Sequence, residues 1–119
     1  KIIKIRRKNV SIYLENLNFR RIYFPKEKQT ELNTYHTFVI QLDKRDELKK
    51  FLKKRGVDTT IHYPIPIHLQ TASKFLGYKK GSFPNTEKQS KRILSLPINQ
   101  HITKTEILYI CKQINKFYS

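Results

Sequence analysis

The stretch that decides how the centre of this chain folds is residues 56–68, which read Gly-Val-Asp-Thr-Thr-Ile-His-Tyr-Pro-Ile-Pro-Ile-His. Its first half predicts a β-strand over residues 57–63, because apolar or β-branched residues recur at every second position. One face of this strand carries Val57, Thr59, Ile61 and Tyr63. The other face carries Asp58, Thr60 and His62. Each following proline fixes its own φ and favours an extended conformation in the residue before it. The sequence therefore predicts a strand that ends in a rigid turn bearing imidazoles and a phenol.

The residues alone leave several interpretations of this turn open. The prolines can serve only to end the strand, His62 can cap local backbone, and His68 can begin a helix. A zinc site is less favoured, because the other histidines of the chain follow no recognisable ligand spacing. Polar groups at the end of a strand are also suited to contacting phosphate or hydroxyl oxygens of a ligand. The chain shows no glycine-rich phosphate loop and no nucleophile motif.

The sequence before the turn predicts a strand followed by a helix. Residues 34–42 form the strand, and we place His36 at the edge of the core because it shares a face with Phe38, Ile40 and Leu42. A helix follows Asp43, with a buried stripe of Leu48, Phe51 and Leu52, and Gly56 ends it. The expected result is a strand-helix-strand unit.

The two ends of the chain predict further helices. The first helix covers residues 1–17, with an apolar stripe of Ile3, Val10, Tyr13, Leu14 and Leu17, and residues 18–33 form an irregular connection that can contain a short strand. A short helix over residues 69–76 ends at Gly77, a second is capped by Asn85 and runs to about residue 94, and a strand stub over 94–96 ends at Pro97. Thr103 and Glu106 form a capping box for the last helix, with a stripe of Ile107, Ile110, Cys111, Ile114 and Phe117. The predicted fold class is α+β, a small mixed or antiparallel sheet packed against helices.

Composition limits the chain to one compact unit of 119 residues with a net charge of +16. Such a charge is typical of nucleic-acid binders, but 18 of the 25 basic residues are lysines spread along the chain, which makes that function less favoured. Cys111 is predicted to be a buried small hydrophobe. The chain has no long apolar run and no signal-peptide pattern, so we expect a cytoplasmic protein. The absence of methionine and of an N-cap at the first helix leads us to expect a fragment.

The order and spacing of several short motifs resemble the DegT/StrS family of sugar aminotransferases. The motifs are Tyr-His-x-Phe-Val-Ile at residues 35–40, Arg45-Asp46-x-Leu48, the stretch from Gly56 to Gln70, Pro84-x-x-Glu87 and Leu94-Ser95-Leu96-Pro97. The opening Arg7-x-x-Val10-x-x-Tyr13-x-x-x-Leu17 resembles the helix that links the two domains of those enzymes. Each motif is short, but their common order extends over residues 7–118.

This resemblance implies a pyridoxal-phosphate enzyme that transfers an amino group from glutamate to a nucleotide-linked keto-sugar, in cell-surface polysaccharide or amino-sugar biosynthesis. The chain resembles only the C-terminal small domain, with residues 1–17 as the linking helix and residues 18–119 as the domain. In the family, the Schiff-base lysine and the cofactor-binding residues belong to the large domain, so we expect this chain to bind no cofactor and to be inactive alone. The implied partners are the large domain and a second subunit of a homodimer. The alternative is a family member that has lost catalysis and acts as a regulatory or binding protein.

The same resemblance places the turn at residues 62–68 near the substrate cleft. It implies substrate-binding roles for His62 and Tyr63, as contacts to the sugar or phosphate. His68 and Gln70 are candidates for the same role, with the alternative that they organise the turn. No residue of the chain is expected to be catalytic or to bind a metal.

Overall fold

A three-stranded antiparallel sheet forms the centre of the fold in the computed structural model, which describes residues 1–119. Its strands are β1 (Ile22–Tyr23), β2 (Phe38–Leu42) and β3 (Ile93–Leu96), in the spatial order β1-β2-β3. β2 lies in the middle and pairs with β3 along nearly its whole length, from Phe38 opposite Leu96 to Gln41 opposite Ile93. The α+β class is therefore confirmed, and both strand pairings are antiparallel.

The central strand has one face in the core. Phe38, Ile40 and Leu42 are fully buried, whereas Val39 and Gln41 on the opposite face are only partly buried. This alternation follows from the period of two in an extended chain and agrees with the predicted face. The prediction was wrong for His36, which precedes the strand and is exposed, because the ladder begins only at Phe38.

Three helices complete the core. α1 (Ile2–Asn16) and α2 (Arg45–Lys53) both pack against α4 (Lys104–Tyr118). Tyr13 of α1 is fully buried, with its ring centroid 5.0 Å from that of Phe38, and its hydroxyl donates to the Pro97 carbonyl over 2.9 Å. The other fully buried side chains from these helices are Val10, Leu48, Leu52, Ile107, Cys111 and Ile114. In the first turn of α1, Ile3 is exposed rather than buried as predicted, since that turn extends past the core.

Residues 57–63 do not form the predicted strand. Their only ladder contact is one bridge, in which Thr60 and Ser95 exchange backbone hydrogen bonds of 3.1 and 2.8 Å. Pairing cannot continue, because Pro64 has no N–H to donate and Tyr63 adopts a left-handed φ of 58°. The third strand is instead β1, which lies within the connection predicted to be irregular.

Two further boundaries differ from the prediction. The helix expected over residues 69–76 consists of two 3₁₀ segments, Ile67–Leu69 and Thr71–Leu76, and the second ends at Gly77 as predicted. The next helix, α3 (Pro84–Ser90), begins with proline in its first turn, so Asn85 lies inside it instead of capping it. It ends at Ser90 because Ile93 and Leu94 join β3.

The C-terminal helix has the predicted start. Thr103 Oγ1 accepts from the Glu106 amide over 3.2 Å, and Glu106 Oε2 accepts from the Thr103 amide over 2.7 Å. Cys111 is buried in this helix as predicted, and burial raises the pKa of its thiol to about 12. None of the four helices combines the length and hydrophobicity that a bilayer crossing requires.

Candidate functional site

An open groove of about 270 Å³ lies beside the bridge between Thr60 and Ser95. Hydroxyls, imidazoles and one carboxylate dominate its walls, and neither lysine nor arginine lines it. The lining residues are His36, Thr37, Asp58, Thr60, His62, Ser95, Leu96, Pro97 and Ile98. Such a surface is rich in hydrogen-bond donors and acceptors without carrying a strong positive charge.

His62 is held in this groove through its neighbours on the sheet. The bridge at Thr60 fixes the backbone two residues before it, and the Nδ1 atom of His62 lies 2.7 Å from Ser95 Oγ. The Nε2 atom makes no hydrogen bond within the chain. His62 is exposed, so this ring nitrogen is available to a ligand.

Tyr63 occupies a different position from its neighbour. Its side chain is 76% exposed and does not line the groove. Its φ of 58° is uncommon for a residue other than glycine, and Pro64 follows it directly. The structure therefore presents the phenol at the protein surface next to His62.

His68 and Gln70 hold the turn together in this structure. His68 is buried, and its Nε2 lies 2.9 Å from Glu87 Oε1. Its ring centroid lies 4.9 Å from that of Phe83, in an edge-to-face arrangement. Glu87 Oε1 also accepts from the Gly81 amide over 2.7 Å. The hydrogen bond from His68 lowers the pKa of Glu87 below its usual value. Gln70 closes the turn by donating from Nε2 to the Ile65 carbonyl over 3.2 Å.

Of the four residues predicted to contact the substrate, only His62 lines the groove. Two further titratable residues there were not predicted as site residues, His36 and Asp58. The alternation of residues 57–63 did contain a signal for Asp58, since it places Asp58 and Thr60 on the same face as His62. His36 was missed because its assignment to the core depended on a strand that starts at Phe38, four residues later than the predicted start at residue 34.

The metal-ligating side chains do not form a metal centre. No group of three or more His, Cys, Asp or Glu side chains lies close enough to hold an ion. Glu87 instead accepts from His68 and Gly81, and Nδ1 of His62 lies within hydrogen-bond distance of Ser95 Oγ. The polar side chains that line the groove thus offer hydrogen-bond donors and acceptors, and no three-ligand metal cluster lies among them.

Comparison with known proteins places the whole arrangement in one family. The sequence model of the DegT/DnrJ/EryC1/StrS aminotransferase family matches residues 1–115. The chain belongs to this family. The DegT-type chain is 38% identical over 116 residues to a protein of Geobacillus stearothermophilus named pleiotropic regulatory protein, covering 95% of this chain and 31% of that protein.

Two matches come from one organism, one to a protein named for its reaction and one to a solved structure. It is 35% identical over 83 residues to the dTDP-3-amino-3,4,6-trideoxy-alpha-D-glucose transaminase of Streptomyces venezuelae, covering 70% of this chain and 22% of that protein. It superposes on the crystal structure of S. venezuelae DesV with a TM-score of 0.92 and 30% identity, over 98% of this chain and 32% of that one. The chain thus spans about 30% of the length of such relatives.

The DegT-type family implies pyridoxal phosphate in its full-length enzymes. Such a cofactor needs an amine that forms a Schiff base and cationic or amide donors for its phosphate. The groove around His62 has no lysine or arginine among its lining residues. Its donor set therefore does not fit the cofactor by itself, and it suits hydroxyl and carbonyl oxygens better.

Proposed function

We propose that this chain is the C-terminal small domain of a pyridoxal-phosphate aminotransferase that transfers an amino group from glutamate to a nucleotide-linked keto-sugar. In this proposal, residues 1–17 are the helix that links it to a large domain, and residues 18–119 are the small domain. The observation that carries the proposal is the family match over residues 1–115, together with relatives that are named as nucleotide-sugar transaminases. The cofactor lysine and the phosphate site are assigned to the large domain, outside this chain.

The proposed role of the groove is to bind the sugar ring. The Asp58 carboxylate can accept hydrogen bonds from sugar hydroxyls, and His62 Nε2 can bind a sugar oxygen. A diphosphate would be better matched by arginine or lysine, which the groove lacks. We therefore place the sugar at His62 and the nucleotide diphosphate elsewhere in the complete enzyme. Tyr63 is proposed to reach the substrate from the adjacent surface, with His68 and Gln70 shaping the turn between them.

The proposed partners are the large domain and a second subunit. Residues 63–83 carry a concentration of exposed large apolar side chains, namely Tyr63, Ile65, Ile67, Leu69, Phe75, Leu76, Tyr78 and Phe83. An apolar surface of this kind is typical of a contact with another protein surface. The relatives are about three times as long as this chain, so in the proposed longer protein the large domain would be big enough to cover the segment.

The proposal is tested with the complete protein that contains this chain, purified with pyridoxal phosphate. We expect glutamate-dependent amination of a dTDP-linked or UDP-linked keto-sugar, measured by mass spectrometry of the sugar and by formation of 2-oxoglutarate. The 119-residue chain alone, assayed in parallel, is expected to give no product. The proposal would be contradicted if no keto-sugar in a panel of dTDP-linked and UDP-linked compounds were aminated. That result would favour the alternative, a family member that has lost catalysis.

A further inference from the structure

Ser95 connects His62 to the sheet, and its own backbone is paired on both sides. Within the sheet, Ser95 of β3 lies opposite Val39 of β2. On its other side, Ser95 exchanges two backbone hydrogen bonds with Thr60. Ser95 is only 6% exposed. Its hydroxyl is thus fixed in place, 2.7 Å from Nδ1 of His62.

The proton of this hydroxyl has one acceptor within the chain. Ser95 Oγ makes no hydrogen bond other than the one to His62. A buried hydroxyl that donates to Nδ1 requires the neutral imidazole to carry its own proton on Nε2. When the imidazole is protonated, Nδ1–H donates to Ser95 Oγ, and Nε2 still carries a proton. With Ser95 as the donor to the neutral ring, Nε2 carries a proton in both protonation states.

We propose that Ser95 is a positioning residue that keeps Nε2 of His62 a hydrogen-bond donor toward the groove, and this inference rests on the proposed sugar-binding function. An Nε2–H donor on His62 would bind a hydrogen-bond acceptor of the ligand, such as a keto or hydroxyl oxygen of the sugar. The other titratable groups that line the groove are His36 and Asp58. Asp58 supplies an acceptor, so the groove can both donate a hydrogen bond to a sugar hydroxyl and accept one from it.

The first test reads the tautomer of His62 directly, in the complete protein labelled with ¹⁵N-histidine. The His62 signals are identified by their loss in His62→Asn. With the imidazole in its neutral form, the wild-type protein is expected to show the Nε2–H tautomer, and Ser95→Ala a mixture of both tautomers. A wild-type ring with its proton on Nδ1 would overturn the proposal even if Ser95→Ala failed to fold.

The second test connects the tautomer with substrate binding. Ser95→Ala is expected to raise the KM for the nucleotide-sugar about three- to tenfold and to leave the KM for glutamate unchanged. Ser90→Ala is the matched control, because Ser90 is also buried and its Oγ donates to the Glu87 carbonyl over 2.9 Å, on α3. It is expected to change neither KM.

A double-mutant cycle separates positioning from general damage to the fold. In a His62→Asn background, which lacks the Nε2 donor, Ser95→Ala is expected to have no further effect on the sugar KM. An unchanged effect in that background would overturn the proposal. If the wild-type protein shows the Nε2–H tautomer but no turnover of any keto-sugar, the proposed function fails while the role of Ser95 in orienting His62 stands.

Discussion

Glu27 attaches the irregular segment between α1 and β2 to the first helix. Its two oxygens accept from the Arg7 guanidinium over 2.7 and 2.8 Å, and Oε1 also accepts from the Asn33 amide. Arg7 donates in addition to the Asn33 carbonyl over 2.8 Å. The hydrogen bond from Arg7, with a further contribution from Asn33, lowers the pKa of Glu27 from 4.5 to about 2. One carboxylate thus organises a segment that has almost no regular secondary structure.

This depressed pKa predicts a specific dependence of stability on pH. The contribution of Glu27 is fully present above its unfolded value of 4.5 and is lost as the pH falls toward about 2. Glu27→Gln is therefore expected to lower the free energy of unfolding at pH 6 and to reduce its decline between pH 4.5 and 2. Urea unfolding of the 119-residue chain at several pH values measures both effects.

The matched control for this prediction is Glu31→Gln in the same segment. Glu31 pairs with Lys28 at 3.7 Å, and both side chains are largely exposed, so the pair contributes little. We expect its pH profile to follow that of the unsubstituted chain. A Glu27→Gln profile that matched the unsubstituted chain would show that the Arg7 pair does not order this segment.

At the scale of elements, the helices were predicted better than the strands. The start of α4 depends on Thr103 and Glu106, which lie three residues apart and interact within one turn. Strand pairing depends on residues far apart in sequence, so the bridge between Thr60 and Ser95 could not be deduced from the alternation of residues 57–63. β1 has only two residues, too few to show any period.

The candidate site shows the same division between local and distant information. His62 could be named from its place before a proline-rich turn, because that signal lies in the local sequence. Its partner Ser95 lies 33 residues away, and His68 meets Glu87 over 19 residues. Such pairs form only when the sheet and α3 bring their residues together, so the local sequence gave no sign of them.

The capping box of α4 predicts a measurable contribution to stability. Thr103→Ala removes the acceptor for the Glu106 amide, and we expect the free energy of unfolding to fall by about 1 kcal/mol. Thr105→Ala, inside the same helix, is the control and should leave the free energy of unfolding unchanged or raise it slightly, since alanine is the better helix former. Thermal and urea unfolding of the 119-residue chain measure the difference. Equal effects of the two substitutions would mean that the cap does not stabilise α4.

At the scale of the whole molecule, the chain has one hydrophobic core and two surface features that no part of the chain covers. Eighteen buried hydrophobic residues form one cluster that joins the sheet to the helices. The exposed apolar segment at residues 63–83 and the open groove at His62 lie outside that cluster. Both are explained if the chain is the small domain of a longer enzyme, in which the apolar segment contacts protein and the groove contacts the sugar.

The most direct test of this account is the effect of His62→Asn on the two substrates of the complete enzyme. Because Nε2 of His62 is proposed to contact only the sugar, the KM for the nucleotide-sugar should rise by about tenfold, and the KM for glutamate should stay within about twofold. His101→Asn, an exposed histidine outside the groove, should change neither value. An unchanged sugar KM in His62→Asn, or an equal rise for both substrates, would contradict the assignment of this groove to the sugar.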